Sequence, residues 1–134
     1  MEPPCDAGYA LPTSAAAARD LVRALLERQP APPAGRPAPA EQTVTDVLLV
    51  TSELVTNAIR HAGGVTAFTA VVEDGFVYVM VGDASSAPPV RSPAAAPGRP
   101  GGYGWPLVCS VAEDVTVTTH RSGGKDIRVR VRLN

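Results

Sequence analysis

The chain has 134 residues, 12 Lys and Arg against 13 Asp and Glu, and a hydrophobic fraction of 45% with only 4% aromatic residues. That length suits a single domain over residues 1 to 134, with one core packed from Val, Leu, Ile and Ala. A net charge of −1 gives no general electrostatic reason to bind nucleic acid or an acidic membrane, so neither is expected as a partner.

The N-terminus, Met1-Glu2-Pro3-Pro4-Cys5-Asp6, is acidic where a signal peptide would be basic. No apolar run is long enough to span a membrane. These two features predict a cytoplasmic protein. Cys5 and Cys109 are then expected as thiols, with Cys109 a small buried hydrophobe. Two Cys and two His, none closely spaced, do not make a structural zinc site.

Residues 14 to 29 read as a first helix. Thr13 or Ser14 can cap it, and Leu21, Val22, Leu25 and Leu26 recur at helical spacing. Residues 30 to 40 form a Pro/Ala linker with no periodicity. A long second helix is predicted over residues 41 to 62. On a helical wheel Val44, Val47, Leu48, Thr51, Leu54, Val55, Ala58, Ile59 and Ala62 make one core face. Asp46, Glu53, Asn57 and Arg60 lie opposite, and Gly63-Gly64 ends the helix.

Val65 to Glu73 and Phe76 to Val81 read as strands joined by Asp74-Gly75, a hairpin signal. Residues 83 to 102 are rich in Ser, Pro, Ala and Gly and read as a long lid or binding loop. A short helix is predicted over Gly104 to Ala112. Val115 to His120 and Lys125 to Leu133 form a second hairpin around Arg121-Ser122-Gly123-Gly124. Ile127, Val129, Val131 and Leu133 alternate there with Arg128, Arg130 and Arg132, as on a strand with one wet face. This order predicts an α+β two-layer sandwich: a mixed, mostly antiparallel sheet with helices on one face.

Several nucleotide and hydrolase motifs are absent. Thr119 stands where a P-loop ending at Lys125 needs its first Gly. Leu107 takes the place of the third Gly of a dinucleotide fingerprint. No Gly-x-Ser-x-Gly elbow occurs. The informative stretch is Thr51 to His61. Glu53 and Asn57 are one turn apart on one helix face, with apolar Leu49 and Val50 nearby. A carboxylate can accept a proton and an amide oxygen can ligate Mg²⁺. On residue type alone, this face is either a solvated polar stripe or one covered by a ligand or loop.

Ser52-Glu53-x3-Asn57-Ala58-x2-His61 resembles the N-box of the histidine-kinase-like ATPases, the GHKL or Bergerat-fold group. The resemblance is nearest to the anti-sigma factor serine kinases and their actinobacterial relatives. Val79-Met80-Val81-Gly82-Asp83 is similar to the strand of the first glycine box. Gly102-Tyr103-Gly104-Trp105-Pro106-Leu107-Val108 is similar to the second. Gly124-Lys125-Asp126-Ile127 resembles the opening of the final strand, and Gly8-Tyr9-Ala10-Leu11-Pro12 the first strand.

The resemblance implies a Bergerat fold that binds ATP and Mg²⁺. It implies Asn57 as Mg²⁺ ligand, Glu53 as catalytic base and Asp83 as acceptor from the adenine amino group. Gly102, Gly104, Ser85 and Arg60 are implied as further nucleotide-contacting positions, with His61 a cap or packing residue. It implies a serine/threonine protein kinase whose partners are a sigma factor and an anti-sigma factor antagonist, and a homodimer. The first glycine box normally continues Asp-x-Gly-x-Gly, whereas here Asp83-Ala84-Ser85-Ser86-Ala87-Pro88-Pro89 follows. That departure keeps a second expectation open, an ATP-binding regulatory module without kinase activity, and a third, an interaction surface that has lost the nucleotide. Asp126 stands where Thr is usual. Close to Asp83 it would raise that carboxylate's pKa; the alternative is that it points away.

Overall fold

The computed structural model describes residues 11–32, 34–35, 37–87 and 104–133. Three helices and four strands follow one another: α1 (Ala15–Glu27), α2 (Glu41–His61), β1 (Val65–Glu73), β2 (Phe76–Asp83), α3 (Gly104–Val111), β3 (Asp114–Thr119) and β4 (Lys125–Arg132). Ser14 caps α1, its Oγ accepting from the Ala17 N–H at 3.0 Å. Asp74 and Gly75, both at positive φ, make the tight turn between β1 and β2.

The strands form one sheet in the order β1-β2-β4-β3. Every pairing among the described residues is antiparallel, so the parallel component expected of a mixed sheet does not occur there. The helices cover one face, which makes the two-layer α+β sandwich. Period-two alternation decides which residues meet them. Phe68 and Ala70, Val77, Val79 and Val81, and Ile127, Val129 and Val131 point inward. They pack against Ala18, Val22 and Leu25 of α1, Val47, Leu54, Val55 and Ala58 of α2, and Val108 of α3. On the open face the guanidinium groups of Arg130 and Arg132 lie 4.8 and 4.9 Å from the Phe76 ring centroid.

The core face of α2 is turned slightly from its wheel position. Val50 is buried, whereas Ile59 is 43% exposed and Leu49 41% exposed. The hydroxyl of Thr51 reaches this core by donating to the Val47 carbonyl at 2.8 Å. Cys109, expected inside, is exposed. Gly104, Val108 and Val111, spaced i, i+4, i+7, take the inward side of α3 and leave Cys109 outside it.

Two junctions bring the chemistry-bearing segments together. Gly63 turns the chain at φ +78°, the Gly64 N–H returns to the Ala58 carbonyl at 2.8 Å, and the Ala84 N–H bonds the Ala62 carbonyl at 3.2 Å. The C-terminal ends of α2 and β2 are thereby tied. At the start of β4, Gly124 has φ +92°, and a Cβ built there would stand 2.6 Å from the Asp83 carbonyl oxygen. Backbone conformation and close approach both require glycine. Gly124→Ala is expected to cost about 1–3 kcal/mol, from left-handed strain and a clash with main chain; a lower urea midpoint at unchanged slope is the readout.

Candidate functional site

The candidate residues come from four elements: Glu53 and Asn57 from α2, Asp83 from the end of β2, Gly104 from the start of α3 and Lys125 from the start of β4. Glu53 and Asn57 share one face of α2, as their spacing predicts. Both side chains are half-buried. Glu53 Oε2 and Asn57 Nδ2 are each fully enclosed, with no hydrogen-bond partner among the described residues. Buried polar atoms are rarely left in that state, and each exception calls for a cause such as a catalytic role, a water or an ion. Rotating the Asn57 amide would put its oxygen where the nitrogen stands.

Gly104 closes against this face. A Cβ at that position would collide with the Glu53 carboxylate. The glycine therefore allows α3 to begin directly over Glu53. Burial pushes the Glu53 pKa above the ordinary glutamate range, and the Arg60 guanidinium offsets part of that rise. Arg60 and His61 are exposed at the last turn of α2. Ser52, beside Glu53, accepts from Arg19 Nη1 at 2.8 Å, which ties α1 to this helix.

Asp83 is 4% and Lys125 3% exposed. They face each other in register on the inward side of the sheet. Lys125 Nζ lies 3.0 Å from Asp83 Oδ1 and 3.0 Å from Oδ2. It also donates to the Ser85 carbonyl at 3.2 Å. The Ser85 N–H donates to Asp83 Oδ1 at 2.9 Å, and the Gly124 N–H to Ser86 Oγ at 3.1 Å. Of the two arrangements left open for Asp126, the structure shows the one that points away from Asp83. Asp126 pairs with Gly82, one step along the strand from Asp83, and so lies on the opposite face. A Cβ on Gly82 would meet its Oδ1 at 2.7 Å, and its Oδ2 lies 3.1 Å from His120 Nε2.

The fold therefore groups Glu53, Asn57 and Gly104 together and Asp83, Ser85 and Lys125 separately. Gly102 and residues 88 to 101 of the expected lid lie outside the described residues, as do Gly8, Tyr9 and Ala10 of the expected first strand. Sequence reasoning missed Lys125. Its signal was available: Lys125 begins the inward row that continues Ile127, Val129 and Val131. A cavity of about 500 Å³ lies elsewhere, between the end of α1, the linker and the β1–β2 turn, and neither Glu53 nor Asp83 lines it.

The family model of the histidine kinase-like ATPase domain matches residues 9–131, nearly the whole chain. The chain belongs to the histidine kinase-like ATPase domain family. No curated protein matches it. Membership supports ATP binding and a regulatory role built on it. The enclosed carboxylate oxygen of Glu53 and, with its amide rotated, the oxygen of Asn57 are donors of the kind a hard cation takes. The Asp83 end is already satisfied internally. Among the described residues no helix is long and apolar enough to cross a membrane. Nor do three His, Cys, Asp or Glu side chains there gather as a metal cluster.

Two outcomes follow for stability. The raised Glu53 pKa means that the folded state binds this proton more tightly than the unfolded chain. Its contribution is present below the ordinary glutamate pKa and is lost as pH rises through the folded value. Glu53→Gln should therefore raise Tm at neutral pH, with the gain shrinking as pH falls towards 4, as read by calorimetric scans. Lys125→Met leaves Asp83 buried and uncompensated and should cost about 3–5 kcal/mol in urea unfolding.

Proposed function

We propose that this ATPase-domain protein is an anti-sigma-type serine/threonine kinase that uses Mg-ATP, binds a sigma factor and phosphorylates a serine on a small antagonist protein. The observation that carries the reading is the pair of enclosed, unpartnered atoms on α2, Glu53 Oε2 and Asn57 Nδ2, beside Gly104. Asn57 would supply an oxygen to Mg²⁺, and phosphate oxygens would complete its shell. Mg²⁺ held there would supply charge neutralisation at the phosphates. Glu53 would take the proton of the attacking serine hydroxyl. Its raised pKa brings it nearer the operating pH, which favours a general base.

Glu53 stands about 13 Å along the helix axis from Ala62, at 1.5 Å per residue, and Ala62 is bonded to the residue after Asp83. A ligand reaching both ends must be extended, as a nucleoside triphosphate is. In the same reading Asp83 faces the base, while Ser85, Arg60 and Gly104 border the ligand. The protein works as a homodimer in the cytoplasm.

One observation favours a second reading, an ATP-binding module without kinase activity. The segment after Asp83 carries Ser85 and Ser86, both tied to β4, in place of hinge glycines. Such a segment moves less freely than a glycine hinge. Phosphate transfer from γ-labelled ATP to a co-purifying antagonist separates the two. Glu53→Gln is expected to cut transfer about 10²–10⁴-fold while ATP affinity by calorimetry stays within about threefold. ATP binding by the wild type without transfer to any such partner would select the second reading. Loss of ATP binding in a folded Glu53→Gln protein would make Glu53 a positioning residue.

A further inference from the structure

The row of inward-facing residues on β4 is apolar except at its first position. A charge there needs a partner, and Lys125 finds it in Asp83. The three ammonium protons have three acceptors: both Asp83 oxygens and the Ser85 carbonyl. Asp83 in turn receives the ammonium on both oxygens and the Ser85 N–H on one. Neither side chain offers a ligand more than a sliver of surface.

The proposed function puts this carboxylate at the base of the nucleotide, and the present inference rests on that reading. A neutral amino N–H is a weaker partner for a carboxylate than an ammonium held at two contacts. Displacing the ammonium would also leave it buried without an acceptor. It would release the Ser85 carbonyl as well, and with it one of the ties that hold the segment after Asp83 to β4.

We propose that Lys125 sets the base specificity of this site: by occupying Asp83 it lets the site accept nucleoside triphosphates without selecting for the 6-amino group of adenine. Affinity then comes from the phosphate end, where Glu53, Asn57 and Gly104 lie. Selection for the 6-amino group, which a free carboxylate would supply, is suppressed by a residue of the chain itself.

Calorimetry in the presence of Mg²⁺ compares ATP, purine riboside triphosphate, which lacks the amino group, and inorganic tripolyphosphate. For the wild type, ATP and purine riboside triphosphate are expected to bind within about threefold of each other. Lys125→Gln keeps one donor for Asp83 and frees an oxygen. It is expected to prefer ATP by about tenfold or more, as sites that hydrogen-bond a substrate N–H do. A tenfold ATP preference in the wild type would overturn this inference and leave the ATP reading intact. A folded Lys125→Gln protein with no gain in preference would overturn it too. Failure of all three ligands to bind either protein would overturn the nucleotide reading and this inference with it. The wild-type comparison needs no variant, so it decides the matter even if Lys125→Gln does not fold.

Discussion

The long helix α2 has to serve two surfaces at once. One face supplies Val47, Val50, Leu54, Val55 and Ala58 to the core; the adjoining face carries Glu53 and Asn57 under the cleft. The apolar face holds the helix against the sheet, because burying such side chains is the main favourable term in folding. The polar face gains nothing from that packing and instead carries enclosed atoms without partners. The fold bears a local cost there, offset by the core on the other side of the same helix. Pre-organised polar groups of this kind are what a phosphate-and-metal site requires.

The sheet meets the same demand from the opposite side. Its inward rows are apolar for most of their length and end in two charges, Asp83 and Lys125. The change occurs where β2 and β4 leave the shelter of the core and border the cleft. Burying a carboxylate alone would be prohibitive, and burying it with an ammonium makes it tolerable without making it a source of stability. The pair also organises main chain, since Ser85 and Ser86 are fastened through Lys125 and Gly124.

Much of the fold was legible because local and tertiary preferences agree. The Asp74-Gly75 turn, the Gly63-Gly64 stop and the alternation on β4 each name an element without reference to the rest, and each element formed. The polar stripe of α2 was legible for the same reason: helical spacing alone puts Glu53 and Asn57 together. What escaped was long-range pairing. The burial of Val50 and the exposure of Ile59 depend on how α2 is rotated against its neighbours, which periodicity constrains only loosely. The exposure of Cys109 depends on which side of a one-sided apolar helix meets α2. The register that sets Lys125 against Asp83, and Asp126 against Gly82, is a property of two strands more than forty residues apart in the chain. One residue of slip in one direction would set Asp126 against Asp83 and place two carboxylates on the inward face.

The bond from the Ala84 N–H to the Ala62 carbonyl involves main chain only. No ordinary side-chain substitution removes it, proline at position 84 apart. The frame that sets α2 beside β2 is thus insulated from the side chains it presents. Glu53 and Asn57 can change without touching that joint, whereas the buried Asp83 and Lys125 can change only together. A lineage built on such a joint is free to exchange one ligand chemistry for another, or to lose it, while its silhouette stays the same.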